Sequence, residues 1–339
     1  MIARLAIGAV VLVGSVAAGL FLRAGDAGKG VELLNVSYDP TRELWQDINT
    51  AFADQSEQET GTRPTIRQSH GGSSSQARGV IDGNEADVVT LALWTDTEAV
   101  RKAGLIADGW DKRLPNNSLP YFSTIVFVVR EGNPKGIKDW SDLARDDVEI
   151  ITPSPRTSGN GKLSFLGAWG SIVVRGGSEA AATDLVRRIY SHVPVLDASA
   201  RAATTTFAQK GIGDVHLTWE NEAALEIKES GGKLQIIYPT LSIRAEPPVA
   251  VVDKNVDRRG SREVAEAYLK FLYTNAGQEI IAKHHYRPSD LAVLAKHSDS
   301  FPAIELFTID KVAPGWAEAN QRFFAEGGVF DQIYQDRGK

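Results

Sequence analysis

The chain has 339 residues, 42% of them hydrophobic and 24% charged, and a net charge of −6. A single core rarely serves that length, so two bodies are expected. The acidic balance argues against a nucleic-acid partner, and the absence of Cys excludes disulfides and a lipid-bearing cysteine.

Residues 5–22 are almost all apolar and lie between Arg4 and Arg23. This is the pattern of a secretory signal peptide or an uncleaved N-terminal anchor, with export and cleavage the favoured reading. Val31 to Tyr38 reads as a buried strand. Asp39-Pro40 then opens a helix, with Asp as N-cap and Pro at the first helical position. Leu44, Ile48 and Phe52 recur on one face of that helix. Thr65 to Gln68 is a short strand. It ends in Ser69-His70-Gly71-Gly72-Ser73-Ser74-Ser75 and leads into a helix through Ala77, Val80 and Ile81.

Glu85 to Leu93 is a further strand, followed by a short helix from Thr97 to Ala103. Ser123 to Arg130 is strongly strand-like. Ile150-Ile151-Thr152 then passes through two prolines into the turn Thr157-Ser158-Gly159-Asn160-Gly161-Lys162, and Leu163 to Trp169 reads as a helix. A helix from Ser178 to Ser191 precedes a strand from Val193 to Asp197. The turn Ala198-Ser199-Ala200-Arg201-Ala202-Ala203 leads into a helix from Thr204 to Gln209, and Gly213 to Trp219 is a strand running into the helix Glu220 to Glu229. Val249 to Asp253 returns as a strand. Arg262 to Tyr273 is helical, and the tail through Phe323, Phe324 and Phe330 reads as packing helices.

Strands alternating with helices predict an α/β fold with mostly parallel sheets flanked by helices. Ligands on such sheets sit at the carboxyl ends of strands, where helices begin. Small-residue turns recur at that kind of place in this chain. Each presents backbone N–H groups with no helical partner and the positive end of a helix dipole, which together suit an anion. An ordinary N-cap on a surface helix is the alternative for any one of them.

Other chemistries find less support. Gly161-Lys162 lacks the earlier Gly and the following Ser or Thr of a phosphate-binding P-loop. His284 and His285 are adjacent, so a helix cannot turn both rings to one metal, and neither metal nor cofactor is expected. Ser69-His70-Gly71-Gly72-Ser73 raises a serine hydrolase, but the nucleophile elbow with its flanking glycines is missing. Trp219 closes a strand; its indole N–H can only donate, and plain core packing is the competing reading.

Several long words of this sequence resemble the periplasmic sulfate-binding proteins of bacterial ABC importers. They are Leu-Leu-Asn-Val-Ser-Tyr-Asp-Pro-Thr-Arg-Glu (33–43), Gln-Ser-His-Gly-Gly-Ser (68–73), Glu-Ala-Asp-Val-Val-Thr-Leu-Ala-Leu (85–93), Thr157-Ser158-Gly159, Gly-Ile-Gly-Asp-Val (211–215), Trp-Glu-Asn-Glu-Ala (219–223) and Phe-Thr-Ile-Asp (307–310). The resemblance implies a two-lobed, type II periplasmic-binding-protein fold that is not an enzyme and closes on one dehydrated sulfate. It implies donors from the N–H of Asp39, the hydroxyls of Ser73 and Ser158, the N–H groups of Gly159, Asn160 and Ala200, and the indole of Trp219. Asn160 replaces the family's usual second Gly, and Ala198-Ser199-Ala200 replaces a turn ending Ser-Gly-Ala. The implied partners are sulfate, or thiosulfate as the alternative, and a membrane permease; the implied setting is the periplasm, and the chain is expected to act as a monomer. The expected division is residues 1–30 as the export segment, 31–120 with 246–339 as lobe I, and 121–245 as lobe II.

Overall fold

The structure, a computed structural model, describes residues 30–335. The export segment read at residues 5–22 lies outside the described residues. Within them, no helix is long and apolar enough to cross a membrane.

The strands, in chain order, are β1 (Glu32–Tyr38), β2 (Thr65–Gly71), β3 (Val88–Thr90), β4 (Tyr121–Arg130), β5 (Ile150–Pro153) and β6 (Leu196–Asp197), then β7 (Val215–Trp219), β8 (Leu234–Ile237), β9 (Leu241–Ala245), β10 (Val249–Val251), β11 (Arg287–Pro288) and β12 (Glu305–Phe307). They form two sheets. The first has the order β10-β3-β1-β2, and the second runs β12-β9-β4-β7-β5-β6, with β8 and β11 also paired to β4.

In the first sheet, β1 lies parallel to β2 and β3, and β10 runs antiparallel beside β3. The period of two along β1 sends Leu33 to one face and Val36 to the other. Leu33 packs with Trp45, Ile48 and Phe52 of the helix Arg42–Thr60 and with Tyr268 and Leu269. Val36 packs with Ala77, Val80 and Trp110 on the opposite side. Each face therefore carries its own layer of helices, as a largely parallel sheet requires.

The second sheet departs from the mostly parallel expectation around β4. That strand is antiparallel to β7, β8, β9 and β11, while β5 is parallel to β6 and β7. β4 is where the chain leaves the first sheet, so it enters the second against the direction of its neighbours. Its alternation is regular: Ile125, Phe127 and Val129 meet Trp140, Leu163 and Phe165, while Val126 and Val128 meet Ile151, Phe207 and Ala223.

The tail corrects the expected division of the chain. Residues from Glu305 onward, read with lobe I, pack on the second sheet. β12 pairs with β9, and Phe307, Phe323 and Phe330 join the cluster of Phe165, Trp169 and Tyr190. The fit is close, because a Cβ on Gly170 would stand 2.1 Å from the Phe307 ring. Aromatic residues that look like general packing in the sequence are thus the lid of one particular core.

Candidate functional site

Five helical segments start within a few residues of strand ends that face one another. On the first sheet, β1 runs into the 3-10 turn Asp39–Thr41 and β2 into the helix Ser73–Ile81. On the second, β5, β6 and β7 lead to the helices Gly159–Val173, Ala200–Thr204 and Glu220–Ser230. Within each sheet these strands are parallel to one another, so each set delivers its helix starts to one edge. The segments meet around a cavity lined by Tyr38, Asp39, Gly72, Ser73, Ser158, Gly159, Asn160, Ala200 and Trp219, among others.

All seven residues singled out in the sequence lie on that lining. The cavity volume is about 10 Å³, far below the roughly 300–1,000 Å³ of pockets for larger ligands. A larger groove between the helices Arg42–Thr60 and Arg262–Phe271, lined by Phe52, Val264 and Phe271 among others, holds none of the seven.

The donors differ in how they are held. Trp219 is 0% exposed, and its indole N–H has no hydrogen-bond partner among the described residues. Tilted contact with Tyr38, at 5.3 Å between ring centroids, fixes the indole plane. Ser158 precedes the helix Gly159–Val173 and its side chain makes no cap bond, so that hydroxyl is not used by its own helix. The N–H groups of Gly159 and Asn160 belong to the first turn, where no earlier helical carbonyl can accept them. The Asn160 side chain donates to the Leu217 carbonyl at 3.2 Å, tying this helix start to β7 beside Trp219. Ser199, not Ala200, supplies the cap at the next turn, accepting from the N–H of Ala202.

Two expectations are corrected. The Ser73 hydroxyl donates to Asp96 Oδ2 at 2.5 Å and accepts from the N–H of Ala92 at 2.9 Å. Its proton is therefore held by a buried carboxylate, and what Ser73 offers the cavity is the N–H of a first helical turn. Asp39 is not an N-cap: it is the first residue of its turn, after Tyr38, and makes no cap bond. Its carboxylate instead receives Arg42 Nη2 at 2.6 Å.

Sequence reasoning missed the charged frame around the cavity. Lys162 is 7% exposed; its Nζ lies 3.2 Å from Ser74 Oγ, 3.8 Å from Asp96 Oδ1 and 3.4 Å from Asn320 Oδ1. A lysine heading the apolar run Leu163–Trp169 was the signal for it, overlooked once the P-loop was set aside. Arg201 forks twice. It meets both oxygens of Glu43 at 3.2 and 3.0 Å across the cleft, and both oxygens of Glu222 at 3.1 and 3.0 Å on its own side. Burial pushes Glu222 up to about 7, with Arg201 pulling the other way and Glu226 adding repulsion. Burial also raises Glu43, but the hydrogen bonds and charge of Arg201 outweigh it and leave that carboxyl below its usual value. Asn221 adds a further tie across the cleft, donating to the Pro40 carbonyl at 3.0 Å. Both cations are thus matched by carboxylates, and the cavity itself is lined by neutral donors.

The hydrolase reading meets contrary geometry. His70 places one ring nitrogen 2.7 Å from Gln68 Oε1 and the other 3.3 Å from the Tyr38 carbonyl, while the Ser73 hydroxyl turns to Asp96. The two do not form a nucleophile–base pair.

Two facing sheets that bring helix N-termini and one orphaned indole to a small cavity define a two-bodied protein built to hold a small solute. A family model described as "Bacterial extracellular solute-binding protein" matches residues 34–287. The sulfate-binding protein of Escherichia coli is 53% identical over 307 residues, covering 90% of this chain and 93% of that one. The thiosulfate-binding protein of Pseudomonas aeruginosa is 49% identical, covering 94% and 96%. Among solved structures, the sulfate-binding protein SubI from Mycobacterium tuberculosis superposes with a TM-score of 0.80 at 35% identity, over 87% of this chain and 99% of that one. The chain belongs to the bacterial extracellular solute-binding proteins.

Proposed function

We propose that this protein captures one sulfate ion between two lobes in the periplasm and delivers it to the permease of an ABC importer, without transforming it. The lobes are residues 31–120 with 246–304, and 121–245 with 305–335. The observation that carries the reading is the Trp219 indole N–H, fully buried and without a partner at the edge of a cavity ringed by helix starts. An unpaired buried donor costs about 1–3 kcal/mol, and an oxyanion removes that cost. The donor set is the N–H of Asp39, Ser73, Gly159, Asn160 and Ala200, the hydroxyl of Ser158 and the indole. Seven charge-assisted hydrogen bonds give a gross gain of about 10–20 kcal/mol before desolvation and ordering, enough for the roughly −8 kcal/mol of micromolar binding.

The same donors favour sulfate over phosphate. Sulfate carries no proton near neutral pH, whereas phosphate keeps one and needs an acceptor for it. The carboxylate on the lining, Asp39, is already held by Arg42. Titration calorimetry with sulfate, thiosulfate, selenate, molybdate and phosphate tests the reading. One sulfate per chain is expected, with phosphate bound at least about a hundredfold more weakly. No heat with sulfate, or phosphate within tenfold of it, would sink the proposal. Thiosulfate remains the second ligand, favoured by the 49% identity to the Pseudomonas aeruginosa protein.

A further inference from the structure

Backbone contacts on both sides of the cavity limit how closely the two bodies approach. Gly72, which precedes the helix Ser73–Ile81, lies against the other body: a Cβ on it would stand 2.5 Å from the Thr157 carbonyl oxygen and 3.1 Å from that of Ala198. Gly159 returns the contact, since a Cβ there would stand 2.5 Å from the Ala92 Cβ. Neither glycine is needed by its own turn. Gly72 has φ −59° and ψ 132°, open to any L residue, and Gly159 is not among the residues of positive φ. The missing side chains answer to the approach across the cleft.

We propose that Gly72 and Gly159 are specificity-determining stops, which set the closed gap to the size of sulfate and so disfavour larger tetrahedral oxyanions such as molybdate. The inference rests on the sulfate reading above. The donors are divided between the bodies, with Asp39 and Ser73 on one and Ser158, Gly159, Asn160, Ala200 and Trp219 on the other. A methyl group on either glycine must part the bodies by about 1 Å, the difference between a 2.5 Å approach and ordinary contact. Every hydrogen bond that a small ion makes across the gap is then stretched, while a larger ion still reaches both sides.

The test measures sulfate and molybdate affinities by calorimetry for the wild type, Gly72→Ala, Gly159→Ala and the double variant Gly159→Ala/Ala92→Gly. The ratio of sulfate to molybdate affinity should fall at least about tenfold in each single variant. It should recover in the double variant, where removal of the Ala92 methyl restores the space while its N–H to Ser73 is kept. A ratio unchanged in both single variants, or one that stays low in the double variant, would overturn the inference, since a merely damaged site loses both ions together. Wild-type protein that takes no sulfate would fail the proposed function itself, a result the variants do not enter.

Discussion

Trp219 should report the site most directly. Trp219→Phe keeps most of the ring packed against Tyr38 but has no N–H, so sulfate affinity should fall by about 1.5–3 kcal/mol with the thermal midpoint nearly unchanged. Calorimetry beside a melting curve separates this from a packing role, for which the midpoint would move and the affinity would not. The two serines should behave unequally. Ser158→Ala removes a hydroxyl that its own helix does not use, whereas Ser73→Ala removes one already bound to Asp96 and leaves the N–H in place. The loss of affinity should be larger for Ser158→Ala. Glu222 links the site to pH. Its ordinary value is 4.5 and burial raises it to about 7, so the folded protein holds this proton more tightly than the unfolded chain. Its contribution to stability is complete below the unfolded value and disappears as the pH rises through the folded one. Urea midpoints of Glu222→Gln should therefore decline less than those of the wild type between about pH 5 and pH 8.

The helix Gly159–Val173 shows at the next scale what the sequence made legible. Small residues after a strand end located its N-terminus, and the apolar run Leu163–Trp169 its body, because both signals are local. The side chain of Asn160 was legible only as a departure from glycine; its bond to Leu217, 57 residues away, is a product of topology. Asn160→Gly should keep sulfate affinity within a few-fold, since the N–H remains, and should lower stability by about 1 kcal/mol through the lost bond and a freer backbone. A larger loss of affinity than of stability would place the Asn side chain itself on the ligand. β4 was read from its β-branched and aromatic residues, but its antiparallel partners were not. β8, β9, β11 and β12 escaped notice. Asp96 escaped as well: one acidic residue in a helix start looks like a cap until the fold brings Ser73 and Ser74 to it.

Among the described residues, polar ties between the two bodies include Arg201 to Glu43, Asn221 to the Pro40 carbonyl, Lys162 beside Asp96 and Arg287 to Glu220, and Tyr38 against Trp219 adds an apolar one. Contacts of this kind favour a hinge that an anion can bias. Small-angle scattering should show a smaller radius of gyration with sulfate than without, and Arg201→Ala should weaken that response. Identical scattering curves for the wild type in both conditions would rule hinge closure out. The cores themselves are assembled from distant parts of the chain. The first sheet is completed by β10 and by Tyr268 and Leu269, and the second core is closed by Phe323 and Phe330 near the far end. Neither body can complete its core before those distant segments are made. Pairings of this range form only after the intervening chain has closed on itself, at an entropic cost. Part of each apolar core therefore stays open until those segments have emerged, and a chain with an incomplete core is one that can still be threaded through a membrane.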